Sequence, residues 1–451
     1  MMNDNDRQLR PGSNAWIVGL VAAAVLLMGP ATVDARDEAA KQPLKIDALK
    51  VGDALPRGEW VDLMPALSPK WWAVSGDWRL QDNALFTGPD FYSRLLLPVV
   101  IAGDFEFSGA FTRLEGDGSA NVLLPVGNTI CCVYYSGWHQ SVHGLGRIQG
   151  MLPTDPDNPT GVQPAKLING VRYTFHTAVR LDGDQATVQA SLDGNLLFTW
   201  TGPASHLDVQ PVLNLPEPHR AAIGAVGGTY RFDSLALRAM TDGSTVAAVP
   251  KEPEIDLAEP GWKDLLAGLD LELATIHGRW LIDEQSLRLA PAAAGQNRNR
   301  IMLPETMQSD YDLVVDFTRT SGFDSVVFIL PVGGRHAALH ISALGGRQGG
   351  LEMIDDKNIA DWGNPTLRRP NAIPNGQRHR LVLQVRVSDR NAAIRAWLNA
   401  KPLLRWSGPE ASLAVPADWR LPNRAAIGLG ANQINIVFHA AHVREVAGDS
   451  K

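Results

Sequence analysis

The sequence predicts an all-β fold, two antiparallel jelly-roll β-sandwiches in tandem. Three observations carry that expectation: an internal duplication, strict alternation of apolar and polar residues over short runs, and closely spaced turn residues. In the duplication, Phe111-Thr112-Arg113 recurs as Phe317-Thr318-Arg319, Leu124-Pro125-Val126-Gly127 as Leu330-Pro331-Val332-Gly333, and Asn158-Pro159-Thr160 as Asn364-Pro365-Thr366. Arg220-Ala221-Ala222-Ile223-Gly224 answers Arg424-Ala425-Ala426-Ile427-Gly428, and Trp60, Asp62, Leu63, Gly76 and Trp78 answer Trp262, Asp264, Leu265, Gly278 and Trp280. A repeat this long is no solenoid unit, and each copy can bury its own core. The 42 glycines and 30 prolines among 451 residues leave little room for long helices.

Residues 1–35 read as a signal peptide. Arg7 and Arg10 precede an apolar stretch from Ala15 to Met28, followed by Gly29-Pro30 and the small residue Ala35. The expected location is therefore periplasmic or extracellular, with an uncleaved N-terminal anchor as the rival reading. Residues 36–54 are expected to be a linker, 55–245 the first jelly roll, 246–258 a polar, extended linker around Pro250 and Pro253, and 259–447 the second jelly roll.

Within the first copy, Phe105, Phe107, Gly109 and Phe111 share one strand face with Glu106 and Ser108 opposite. Tyr173, Phe175, Thr177, Val179 and Leu181 alternate with polar and small residues in the same way. Asp182-Gly183 and Asp193-Gly194 stand between such runs, where positive φ suits a tight hairpin. Leu381, Leu383, Val385 and Val387, then Ile394, Ala396 and Leu398, repeat the pattern in the second copy. The paired tryptophans Trp78, Trp280, Trp200 and Trp406 are expected in the cores. The only cysteines, Cys131 and Cys132, are adjacent and match Ala337 and Ala338, so they read as small buried residues and not as a disulfide or metal pair.

The succession Trp-x-Asp-Leu, Gly-x-Trp, a hairpin at Gln81 to Leu85, Asp104-Phe105-Glu106-Phe107 and a closing Leu-Asp-Gly turn resembles the concanavalin A-like jelly rolls. Within them it is similar to the 3-keto-disaccharide hydrolase family. That resemblance implies a carbohydrate ligand and, as an alternative to simple binding, glycoside cleavage. The family's Asn-Ser-Gly-Ile segment is replaced by Asn121-Val122-Leu123-Leu124-Pro125 and by Val326-Val327-Phe328-Ile329-Leu330-Pro331, so no catalytic residue is carried over.

Spacing alone finds no catalytic constellation. Glu254, Asp256 and Glu259 have the Glu-x-Asp-x-x-Glu spacing of retaining glucanases, but they lie in the linker between Pro253 and Pro260 and are read as coincidence. There is no nucleophile elbow, zinc-binding His pair or phosphate loop. No cofactor is implied, although Asp155, Asp157 and Asn158 offer oxygens of the kind calcium takes. A formal charge of −7 argues against nucleic acid and anionic membranes as partners.

The expected partner is a glycan or polysaccharide, bound by a lectin-like protein; a structural or adhesive surface module is the further alternative. Tyr134, Tyr135, Trp138, His139 and His143 supply flat rings and polar groups for pyranose stacking, and Trp138 has no tryptophan partner in the other copy, Leu344 standing there. Trp362 likewise faces Pro156. Because the interval from Gly127 to Gly150 is six residues longer than that from Gly333 to Gly350, the segment Tyr134 to His143 is expected to be an enlarged loop. Arg94, Arg113, Arg300 and Arg319 recur in both copies and are candidates for holding sugar hydroxyls or carboxylates, or for tying loops.

Overall fold

In the computed structural model, residues 42–290 and 297–446 are described, so the proposed signal peptide lies outside the described residues. From Pro43 onward the chain is one compact unit. It holds two large apolar cores, one drawn from Ile46 to Ala247 and one from Leu265 to Val443.

The second copy shows the architecture most simply. Its major sheet runs in the order Trp280–Asp283, Ser286–Leu289, Ile434–Glu445, Tyr311–Gly322, Arg378–Ser388, Asn391–Leu398 and Lys401–Pro409. Its minor sheet runs Thr275–His277, Asn299–Thr306, Ala426–Ala431, Val326–Val332, Arg335–Ser342 and Gln348–Glu352. All described pairings within both sheets are antiparallel. Period-two alternation explains why they pack face to face: Tyr311, Leu313, Val315 and Phe317 of the major sheet share one apolar core with Val326, Phe328 and Leu330 of the minor sheet.

The first copy repeats this order, but its two sheets are continuous. Phe105–Val126 and Ala222–Ala239 each run through both sheets, joining them into one 13-stranded sheet. Gly116 and Gly118 make the passage possible, because a Cβ at Gly118 would strike the Val226 carbonyl. In the second copy Asp324 stands where Gly118 does, and the strand breaks between Gly322 and Val326.

Hairpin turns fall where the sequence places them. Asp193 and Gly194 have φ of 48° and 75°, joining Gln185–Leu192 to Asn195–Pro203. The second copy makes the same turns without glycine, using Asp389-Arg390 and Asn399-Ala400 at positive φ. Trp78, Trp280, Trp200 and Trp406 are buried, and so are Cys131 and Cys132, whose thiols are free.

Three sequence expectations need correction. The first sandwich begins before position 55, since Leu44–Lys45 pairs with Trp60–Asp62 and Ile46 is buried in the core. The connecting segment is not simply polar and free: Ile255 and Leu257 pack with Val314, Val382 and Trp397 on the outer face of the second major sheet, and the Trp397 indole donates to the Pro250 carbonyl. The segment around Trp138 is not enlarged. Thr129–Ser136 and Val142–Gly146 match Arg335–Ser342 and Gln348–Glu352 without a gap. Gly350 therefore answers Gly144, and Gly150 answers Asp356, which takes a φ of 61° where Gly150 has 81°. Aspartate tolerates that left-handed conformation, so identity between glycines misplaced the register.

Candidate functional site

The recurring arginines tie down backbone. Arg113 donates to Asn169 Oδ1 at 2.6 Å, to the carbonyls of Gly118 and Leu167 and to Gln140 Oε1. Arg319 repeats this with Asn375 Oδ1 at 2.7 Å and the carbonyls of Asp324 and Ile373. Arg94 donates to the Asn214 carbonyl and Arg300 to that of Arg420, the matching position. Arg94, Arg113 and Arg319 are buried and Arg300 is half-buried, which fits the loop-tying role. Asn158 is committed in the same way: its amide donates to the carbonyls of Leu145 and Met151 and its oxygen accepts from Thr160.

Tyr135 and His143 also lie inside. Tyr135 points into the core against Phe111 and Phe175. His143 accepts the Ser136 N–H on Nδ1 at 3.2 Å, and burial lowers its pKa to about 4. Neither presents a ring to solvent.

Tyr134, Trp138 and His139 do come together. They line an open cleft of about 240 Å³ at one end of the first minor sheet, with Phe91, Tyr92, Asp117 and Gln210. The Tyr134 and Trp138 rings stand 4.9 Å apart at 49°, and Phe91 is 59% exposed. His139 Nδ1 lies 2.8 Å from Asp117 Oδ2 at the rim. Tyr92 meets Trp362 of the second sandwich, ring to ring at 5.0 Å, and Arg369 stacks on Trp362 at 4.0 Å. An amphipathic cleft results, apolar on its floor and hydrogen-bonding at its edge.

A tight turn after Thr129–Ser136 aims the Trp138 ring. Ser136, Trp138, His139 and Gln140 all have positive φ, from 49° to 67°. The matching turn of the second copy uses Gly345 and Gly346 where the first has His139 and Gln140. Non-glycine residues in that region cost on the order of 1 kcal/mol each, so the first copy holds its side chains here against backbone strain.

The second copy carries different side chains at the equivalent positions. His340 stands for Tyr134, Leu344 for Trp138 and Phe323 for Asp117. His340 is buried edge-on against Trp419 at 5.4 Å, with Glu352 3.5 Å away. Burial lowers the His340 pKa to about 3 and raises that of Glu352 to about 6. Sequence reasoning missed Phe91, Tyr92, Asp117 and Gln210. The usable signal for the first two was that aromatic pair in a segment where the copies lose register, between Leu289 and Asn299 of the second copy.

No protein-family model matches the chain, and no curated protein matches it. Among solved structures, a carbohydrate-binding module, CBM66 from Bacillus subtilis, is 13% identical with a TM-score of 0.27, covering 38% of this chain and 96% of that one. The metal-free lectin I-B4 of Griffonia simplicifolia is 10% identical at 0.25, covering 40% and 98%. A Bacillus subtilis protein with a galectin-like fold is 12% identical at 0.28, covering 44% and 98%. Each likeness spans less than half of this chain, and at these TM-scores it carries no argument about ligands.

Proposed function

We propose that the protein is an exported carbohydrate-binding protein of lectin type, and that the cleft of the first sandwich takes a pyranose. The observation that carries this reading is the aromatic set of the cleft, in which Phe91 is exposed, Trp138 and Tyr92 are half-buried and Tyr134 forms the buried floor, bordered by the Asp117–His139 pair. The apolar face of a sugar ring matches an indole, while its hydroxyls need donors and acceptors at the edge. The placement of Trp362 beside Tyr92 supports a ligand longer than one ring, reaching toward the second sandwich.

Cleavage of the 3-keto-disaccharide hydrolase type is the second reading, favoured by the Asp117–His139 contact alone. Both side chains are largely exposed, at 52% and 84%. General acids and bases are tuned by burial or by a second carboxylate, and neither is present among the residues lining the cleft. Binding needs no such tuning.

A glycan array followed by calorimetric titration tests the proposal. Replacing Trp138 by Ala is expected to weaken binding about tenfold, the equivalent of about 1.4 kcal/mol, with the unfolding temperature almost unchanged. Absence of binding to any glycan would favour a structural or adhesive module. Release of reducing ends from a bound glycan would favour the hydrolase reading.

A further inference from the structure

The outer face of the second major sheet sets two like charges directly opposite each other. Arg395, on Asn391–Leu398, is the cross-strand partner of Arg405, on Lys401–Pro409. The first copy has Gln189 and Thr199 at these places, joined by a neutral hydrogen bond of 3.1 Å. Like charges directly opposite on a strand pair are destabilising, so the scaffold does not demand this arrangement.

The two guanidinium groups border a groove of about 620 Å³ between the sandwiches. Arg220 and Lys251 also line it, and Glu217 is the sole carboxylate among its lining residues. Glu217 is already shared, accepting from Arg220 at 3.1 Å and from Arg405. Neither Arg395 nor Lys251 has an ion-pair partner among the described residues, and both are exposed to the groove's solvent. Burial, then Glu217 in the opposing sense, then Arg395 act on Arg405, and the balance lowers its pKa from the ordinary value. Positive charge is thus concentrated here in a protein whose formal charge is −7.

We propose that this groove is a second binding site, for an oxyanion: a carboxylate, sulfate or phosphate group held between Arg395 and Arg405, with Lys251 at the rim. A planar guanidinium fork matches such a group in two-point fashion, and an anion between the two arginines converts their repulsion into attraction. The site is separate from the aromatic cleft and does not depend on it.

Calorimetric titration of the full chain at low ionic strength, with inorganic phosphate, inorganic sulfate and glucuronate as probes, tests the assignment. At least one probe is expected to bind with unit stoichiometry. Arg395→Gln is expected to weaken that binding at least tenfold, whereas Trp138→Ala leaves it unchanged. Binding of glucuronate alone would assign the anion to an acidic sugar, and binding of either inorganic ion alone to a sulfate or phosphate group. In buffer without these anions, Arg395→Gln is expected to unfold at the same temperature as the native protein or above it, since the substitution removes repulsion. Lys251→Gln, on the connecting segment, is expected to weaken binding in the same direction and serves if the first variant does not fold. Failure of all three probes to bind, or unchanged binding in a folded Arg395→Gln variant, would overturn the proposal.

Discussion

His139 illustrates how one residue separates fold from function. Its φ of 56° and its exposed contact with Asp117 give the sandwich nothing that Gly345 does not give the other copy. His139→Gly is therefore expected to keep or slightly raise the unfolding temperature, by relief of strain worth on the order of 1 kcal/mol, while weakening glycan binding. A fall in thermal stability would show that the pair with Asp117 supports the turn. Arg319 is the opposite case. Arg319→Ala leaves the carbonyls of Asp324 and Ile373 and the Asn375 side chain without their shared donor, and is expected to cost about 3 kcal/mol or more in denaturant titration. The recurrence of Arg113 and Arg319 was legible in sequence, but recurrence alone does not tell a loop tie from a ligand contact. The partners at 2.6–2.7 Å do.

At the scale of strands, both copies carry Trp-x-Gly-Pro, at Trp200 to Pro203 and Trp406 to Pro409, and the structure gives the pattern a physical reason. Trp200 folds over Gly202, where a Cβ would lie 2.8 Å from the indole, and Trp406 folds over Gly408 at 3.1 Å. Each indole closes the edge hairpin onto its core, so Trp200→Ala or Trp406→Ala is expected to cost about 3–5 kcal/mol, read as a lowered denaturation midpoint. Unchanged stability in either variant would place that indole outside the core's cooperative unit. Alternation at Phe105–Phe111 and at Leu381–Val387 fixed which side faces inward, because a one-residue slip would expose every one of these side chains. The course of the segment Pro250–Pro260 was not legible. Its composition is that of a free linker, and only the apolar patch formed by Val314, Val382 and Trp397 on a distant sheet face makes Ile255 and Leu257 pack.

For the whole molecule, buried histidines set the acid limit of stability. His143 and His340 have folded-state pKa values of about 4 and about 3, both lowered by burial from 6.5. Their contribution is complete above pH 6.5 and is lost as pH falls toward those values, because the unfolded chain takes up protons first. Glu352, raised by burial to about 6, acts in the opposite sense, stabilising below its unfolded value of 4.5 and losing that contribution as pH rises through 6. His336, His379 and His439, all lowered chiefly by burial, act with His143 and His340, and Glu252, raised by burial, acts with Glu352. The five histidines outweigh the two carboxyl groups, so the unfolding temperature is expected to fall between pH 6.5 and 4; a rise over that interval would contradict the buried, neutral assignment of His143 and His340. The duplication that dominates the sequence thus yields two copies of one scaffold that differ in what they expose. The most direct measurement is a titration of one glycan ligand against Trp138→Ala and Leu344→Ala, the same turn position in each sandwich. Binding about tenfold weaker in Trp138→Ala alone, with both variants folded, is the predicted result. Equal losses in the two variants, or loss only where folding is also lost, would contradict the assignment of the site to the first sandwich.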